Sequence, residues 1–134
     1  MKQAVIRQVK SMFVGCDKVG NILLAKFSFH GGKDAAVFLP YSIVFWLLDN
    51  IPVNQDPQLL RPPIGPQLTE ADWDLYGTPR AISVQCKQFN DAVRMTFELE
   101  QKPDLSVLLD LSNLEMMRRF LEAYRNDLVN LDAE

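Results

Sequence analysis

The side chains of this sequence best suited to nucleophilic or acid–base catalysis are one histidine and two cysteines: His30, Cys16 and Cys86. A catalytic histidine needs a nucleophile and an orienting partner. His30 stands before two glycines, with neither a Gly-x-Ser-x-Gly pattern nor a cysteine at a suitable spacing. Two cysteines in a chain without an apolar export signal usually pack as small hydrophobes, so we expect both to be buried, reduced thiols. These side chains predict no nucleophilic site.

Metal and phosphate sites need larger sets of residues than this sequence provides. A structural or catalytic metal requires three or four ligands at a suitable spacing, and no such set occurs. Gly31, Gly32 and Lys33 lack the rest of a phosphate-binding loop. Asp72 and Asp74 alternate within a proline-rich stretch, a pattern more typical of solvated carboxylates than of an acid–base pair. We therefore predict that the protein is not an enzyme and carries no metal or cofactor.

An internal repeat organises the elements that carry these residues. Residues 12–48 and 82–118 follow one pattern at an offset of 70, which aligns Cys16 with Cys86 and Ser42 with Ser112. A repeat of this kind predicts two similar structural units, so it takes precedence over the other patterns in predicting the fold. Further aligned pairs are Phe27 with Phe97, Asp34 with Asp104, Val37 with Val107 and Leu39 with Leu109.

Hydrophobic periodicity predicts three strands and one helix in each copy. Alternation with a period of two indicates strands at 4–16, 22–30, 35–39, 81–88, 92–100 and 105–110. Ser42 is the predicted N-cap of a helix at 43–50. Ser112 and Glu115 form the predicted capping box of a second helix at 113–128.

The predicted fold is α+β, with two β-β-β-α units related by a pseudo-twofold. We expect about six antiparallel strands with two helices packed on the sheet, because each unit alone would have a thin core. The chain forms one domain, 1–134, divided into a first unit (1–51), an ordered proline-rich linker (52–79) and a second unit (80–134). The linker holds six of the eight prolines and one predicted helical turn, which starts at Thr69.

Charge and hydropathy favour an intracellular protein. The net charge is −3, and the longest apolar run, 43–48, is far shorter than the roughly 20 residues that span a bilayer. The N-terminus alternates charged and apolar residues and lacks the apolar segment of an export signal. We therefore expect a cytoplasmic location and no membrane partner.

The first helix carries more apolar surface than its twin. Tyr41, Phe45 and Leu48 form a stripe whose counterparts in the second copy include Glu115 and Arg118, which we expect to be exposed. Such a patch calls for a cover, either the linker through Trp73, Tyr76 and nearby leucines or another protein chain. The leading hypothesis is therefore a non-catalytic protein-binding or regulatory module that binds another protein or itself as a homodimer.

A single-stranded nucleic-acid-binding protein is the alternative. The first 33 residues hold six basic side chains against one acidic side chain. In layout, the repeated sheet-plus-helix unit is similar to the single-strand binders of the Whirly and Pur-alpha families, whose units contain more strands. The candidate contacts are Arg7, Lys10, Phe13, Lys18 and Lys26.

The apolar stripe generates a first prediction. Phe45→Glu lowers the free energy of unfolding, or weakens a dimer, by about 1.5–3 kcal/mol, because a large apolar side chain loses its cover. Leu48→Arg acts likewise, whereas Glu115→Ala costs about 0.5–2 kcal/mol through a weakened helix cap. Thermal melting and sedimentation measure both effects, and a monomer whose melting is unchanged by Phe45→Glu would mean that the stripe is bare.

Overall fold

The computed structural model describes residues 6–17, 22–51, 66–74 and 76–132, with the backbone alone for 126–132. Its strands are β1 (Ile6–Asp17), β2 (Ile22–Phe29), β3 (Ala35–Leu39), β4 (Ala81–Gln88), β5 (Ala92–Leu99) and β6 (Lys102–Asp110). Its α-helices are α1 (Tyr41–Asn50) and α2 (Leu111–Asp132). The predicted α+β class is confirmed, with a six-stranded sheet and two helices packed on it.

The strands lie in the order β3-β2-β1-β6-β5-β4. Each half is an antiparallel meander, but β1 and β6 are parallel where Ile6–Gln8 pairs with Ser106–Leu108. The prediction of antiparallel strands is wrong at this pair, which joins the two meanders and has no hairpin to set its direction. The outer strands β3 and β4 meet at one parallel bridge between Phe38 and Arg80. The sheet therefore curls until its two edges touch.

The core fills the concave face of the sheet. Every second residue of β2 and of β5 points inward, and the rings of Phe27 and Phe97 lie 6.1 Å apart at their centroids. Full burial of one such side chain contributes roughly 1.5–3 kcal/mol. The helices complete this core with Ile43, Val44 and Leu47 from α1 and with Leu114, Met117 and Leu121 from α2.

The predicted offset of 70 fits the second and third strands of each half. Leu23 of β2 pairs with Leu39 of β3, and Val93 of β5 pairs with Leu109 of β6. Both partners are thus displaced by 70 residues, and the register is the same.

The first strands correspond at a different offset. Val9 in β1 and Ala81 in β4 are each followed by a β-bulge before the next paired residue, an offset of 72. The shift arises because the connection between β1 and β2 is longer than that between β4 and β5. The predicted equivalence of Cys16 and Cys86 is therefore wrong, and Val14 occupies the position that corresponds to Cys86.

The start of α2 takes the place of β6 beside β1. The carboxylate of Asp110 accepts the N–H of Asn113 at 2.8 Å, and the Asn113 side-chain amide reaches the backbone oxygen of Lys10 at 3.3 Å. The predicted capping box of Ser112 and Glu115 is wrong, because the helix begins directly after β6 and Asp110 caps it. The edge of β1 beyond its bulge is thus covered by α2.

The start of α1 also differs from its prediction. The helix begins at Tyr41, and Pro40 rather than Ser42 occupies the N-cap position, without a side-chain hydrogen bond. The Pro40 carbonyl accepts the N–H groups of Ile43 and Val44 at 3.0 and 3.1 Å.

Glu115 is buried, contrary to its predicted exposure. Its side chain is 1% exposed and accepts hydrogen bonds from Arg118 Nη2 at 2.7 Å and from Arg119 Nε at 3.2 Å. The hydrogen bond to Glu115 raises the pKa of Arg118 further above its usual range. The prediction failed because α2 starts in the gap beside β1, where its first turns are enclosed on more than one side.

The chain before β4 packs on the convex face of the first meander. Leu68 and Trp73 lie over Ile22, Leu24 and Phe38, which form a second, smaller apolar cluster. Gly15 lets this segment pack closely, since a Cβ atom there would overlap the Leu68 side chain and displace it. The predicted turn at Thr69 is confirmed as a single 3-10 turn, Glu70–Trp73, with Thr69 and Asp72 as its capping box.

An ion pair fastens this segment to the sheet. Lys26 Nζ contacts Asp72 Oδ2 at 3.0 Å and also donates to the Gln67 carbonyl at 3.0 Å. Burial opposes ionisation of Asp72, but the hydrogen bond from the Thr69 N–H and the contact with Lys26 outweigh it, so the Asp72 pKa lies below its usual value.

The buried carboxylate predicts unequal effects of two neighbouring arginines. Arg118→Ala should lower the free energy of unfolding by about 3 kcal/mol, because it removes the shortest contact of a buried charge. Arg119→Ala, at a half-exposed side chain, should cost no more than about 1 kcal/mol. Urea denaturation measures both, and equal losses would contradict the burial of Glu115.

The Lys26–Asp72 contact predicts a pH dependence. Asp72→Asn should cost about 1 kcal/mol at pH 7. The contribution of a carboxylate with a lowered pKa is present above its unfolded-state value of 3.8 and disappears as the pH falls through the lower folded-state value. The stabilities of wild type and variant should therefore converge below about pH 4. Asp74→Asn, at an exposed carboxylate of the same segment, is the control variant.

Candidate functional site

The outward face of α1 carries three aromatic residues. Tyr41 and Trp46 are 39% and 38% exposed, and the rings of Tyr41 and Phe45 lie 4.5 Å apart at their centroids. Arg125 of α2 lies over the Phe45 ring at 5.6 Å from its centroid. Leu48 packs against the core. The predicted stripe is thus partly covered by α2.

The linker residues that were expected to cover the α1 stripe either lie elsewhere on the molecule or fall outside the described residues. Trp73 packs against Phe38 on the convex face of the sheet, at 6.3 Å between ring centroids, and Tyr76 is 99% exposed. Leu59, Leu60 and Leu75 lie outside the described residues. Within the described chain, the segment before β4 therefore covers the sheet rather than α1.

A groove of about 450 Å³ separates the end of α1 from β4. This volume lies within the range of about 300–1,000 Å³ that is typical of ligand pockets. Val93 and Leu114 contribute to its apolar surface, and the half-buried Cys86 also lines it. Its other lining residues are Trp46, Asn50 and Ile51 from the α1 side and Gln85 and Gln88 from β4.

One edge of β4 faces this groove without a strand beside it. β4 is the last strand of the sheet, and beyond the bridge at Arg80 the described residues pair its backbone only with β5. Among the described residues, no strand pairs with the N–H and C=O groups of the other edge across residues 82–88.

The corresponding position in the other half is filled. At the offset of 72, Gln85 corresponds to Phe13, and at the offset of 70, Asn50 corresponds to Phe120. Phe13 and Phe120 pack edge to face, with centroids 5.0 Å apart. Two aromatic rings thus close the space between β1 and α2, whereas two carboxamides leave the space between β4 and α1 open.

The groove lining is neutral and offers hydrogen bonds. None of the side chains that the structure describes in its lining is charged. The Asn50 amide nitrogen donates to the Trp46 carbonyl at 2.7 Å, and its amide oxygen is a potential acceptor. Burial raises the pKa of the Cys86 thiol to about 11, so this sulfur is a weak nucleophile near neutral pH. The arrangement is suited to binding an uncharged segment.

The basic residues considered for nucleic-acid binding are dispersed. Arg7 lies over the Phe29 ring and donates to the carbonyls of Gly31 and Lys33. Lys26 is engaged by Asp72, and Phe13 by Phe120. Lys10 is exposed on β1, and Lys18 lies outside the described residues. The structure brings none of these described cations together with another.

Sequence reasoning missed Trp46 and the two glutamines. Trp46 lies within a continuous apolar run, in which an exposed position looks the same as a buried one. Comparison of Gln85 with Phe13 at the correct offset of 72 would have revealed the difference between the two halves. Neither cysteine forms a disulfide bond, as predicted, although both are half-buried rather than buried.

Comparisons of the chain with protein-family models, with curated proteins and with solved structures find no match. Neither described helix has the length and apolarity needed to cross a membrane. Across the described ranges, no three His, Cys, Asp or Glu side chains converge as metal ligands would.

Cys86 supplies a test of the groove. In a Cys16→Ser variant, labelling of Cys86 by a maleimide should be slow at pH 7.5 and should rise about tenfold per pH unit up to pH 10, since only the thiolate reacts. A model thiol with the usual pKa of 9.0 should level off earlier. Labelling that is already fast at pH 7.5, followed by mass spectrometry, would contradict the raised pKa.

Proposed function

We propose that the protein is a non-catalytic protein-binding module of the cytoplasm that binds its partner in the groove between α1 and β4. One observation carries this proposal: the groove is open, neutral and bordered by a half-exposed tryptophan and an unpaired strand edge. Tryptophan is among the residues most often responsible for binding energy at protein interfaces, and free strand edges are recurrent docking sites.

We further propose that the two halves are an internal duplication related by a pseudo-twofold. The shared register of β2–β3 and β5–β6, and the bulges after Val9 and Ala81, support this origin. On this view, the half with Phe13 and Phe120 became the closed structural copy. The half with Gln85 and Asn50 retained an open groove for binding.

Site-specific photo-crosslinking tests the proposal. A benzophenone side chain replaces Trp46 in the full chain, and irradiation in the native cells should link it to another protein. The control carries the same group at Tyr76, which is fully exposed but lies outside the groove. A specific adduct from position 46 alone is expected. Adducts from position 76 alone, or none from either position, would contradict a binding site in the groove.

A further inference from the structure

We propose that the groove accepts an extended, uncharged peptide segment of a partner protein, which adds to β4 as a seventh strand and places an apolar side chain beside Trp46. This inference rests on the proposed function and specifies the form of its ligand. Three properties of the groove lead to it: its backbone edge, its apolar floor and its lack of charge.

The backbone edge selects an extended segment. Along residues 82–88, the described part of the chain satisfies β4 only on the side of β5. Strands pair at a spacing of about 4.8 Å and rise about 3.3 Å per residue, so the part of the edge that lines the groove, residues 85–88, accommodates about four residues of an added strand. The side-chain amides of Gln85 and Gln88 offer further hydrogen bonds along the same edge. A helix or a compact loop would leave these backbone groups unpaired.

The other half of the molecule indicates the side chain that fits. Beside β1, the corresponding space holds the aromatic pair Phe13 and Phe120. Beside β4, the space retains an apolar floor that includes Val93 and Leu114, with Trp46 as one wall. A large apolar or aromatic side chain of the peptide would restore the packing that Phe13 provides in the closed half. A charged side chain would find no partner among the lining residues.

A second copy of the chain fits this groove less well. If two β4 strands paired, the inward-facing Val84 and Cys86 of each would remain committed to their own core. Neither copy would then supply a side chain to the floor of the other groove. A free segment has both faces available, so it can pair with β4 and fill the floor at once.

A displayed library of linear 12-residue peptides tests this inference. The full-length wild type serves as target and the Trp46→Ser variant as counter-target, with Phe89→Ser as the matched control at an exposed aromatic outside the groove lining. Selected peptides should carry a large apolar residue, bind Phe89→Ser as they bind wild type, and bind Trp46→Ser at least about tenfold more weakly. Circular dichroism of the variants confirms folding. Failure to enrich any peptide over the counter-target overturns the inference.

Backbone methylation distinguishes strand addition from other binding modes. A strand presents its N–H groups alternately to its two edges. Two versions of a selected peptide are compared by fluorescence anisotropy, one N-methylated at even positions and one at odd positions. One version should bind at least about tenfold more weakly and the other nearly normally. Equal affinities, whether both retained or both lost, overturn strand addition.

Protection of Cys86 locates the bound peptide. In the Cys16→Ser background, a saturating selected peptide should slow maleimide labelling of Cys86 at least about fivefold, because it covers the groove floor. Unchanged labelling overturns the assignment to this groove. If crosslinking from position 46 succeeds while these peptide tests fail, the partner binds here through a folded surface. If both fail, the proposed function falls as well.

Discussion

Where this sheet curls, some strand edges have no neighbouring strand. Other elements must then cover the backbone groups of those edges, and the positions of α1 and α2 follow from this requirement. β1 pairs with β6 over only three residues before the two strands separate, and α2 fills the opening with the Asn113 amide directed at the β1 backbone. The aromatic pair of Phe13 and Phe120 closes what remains. On the opposite side, β4 meets β3 at a single bridge, and α1 leaves a groove. The difference between the two sides is the basis of the proposed function.

The covering elements also explain the charges inside the molecule. The first turns of α2 lie beside β1, and the Glu115 carboxylate there is neutralised by Arg118 and Arg119. On the convex face, Lys26 is partly buried under the segment that leads to β4 and is paired with Asp72. The Lys26–Asp72 pair fastens its segment to the sheet, whereas the contacts of Glu115 lie within α2. Both sets of contacts engage cations that composition alone would assign to solvent. A basic N-terminal half is therefore weak support for a nucleic-acid surface here.

Periodicity in the sequence was sufficient to predict the elements and their inner faces. The period of two in β2 and β5 and the apolar stripe of α2 each reflect one buried face, so Leu23, Phe97 and Met117 could be assigned to the core. Register and helix starts depend on contacts between distant segments. A loop that is two residues longer displaced the alignment of Cys16 with Cys86, and the gap beside β1 buried Glu115. Likewise, the exposure of Trp46 follows from where α1 ends relative to β4.

The open edge of β4 is tested most directly by residue-resolved amide hydrogen exchange of the free protein. Amides of β4 that point toward β5 should be protected, and alternate amides of residues 82–88 should exchange much faster, because the described part of the chain places no strand beside them. Amides of β2 provide the internal comparison, since that strand pairs with β1 on one side and with β3 on the other. Uniformly strong protection across residues 82–88, independent of protein concentration, would show that the edge is already paired and would contradict the account.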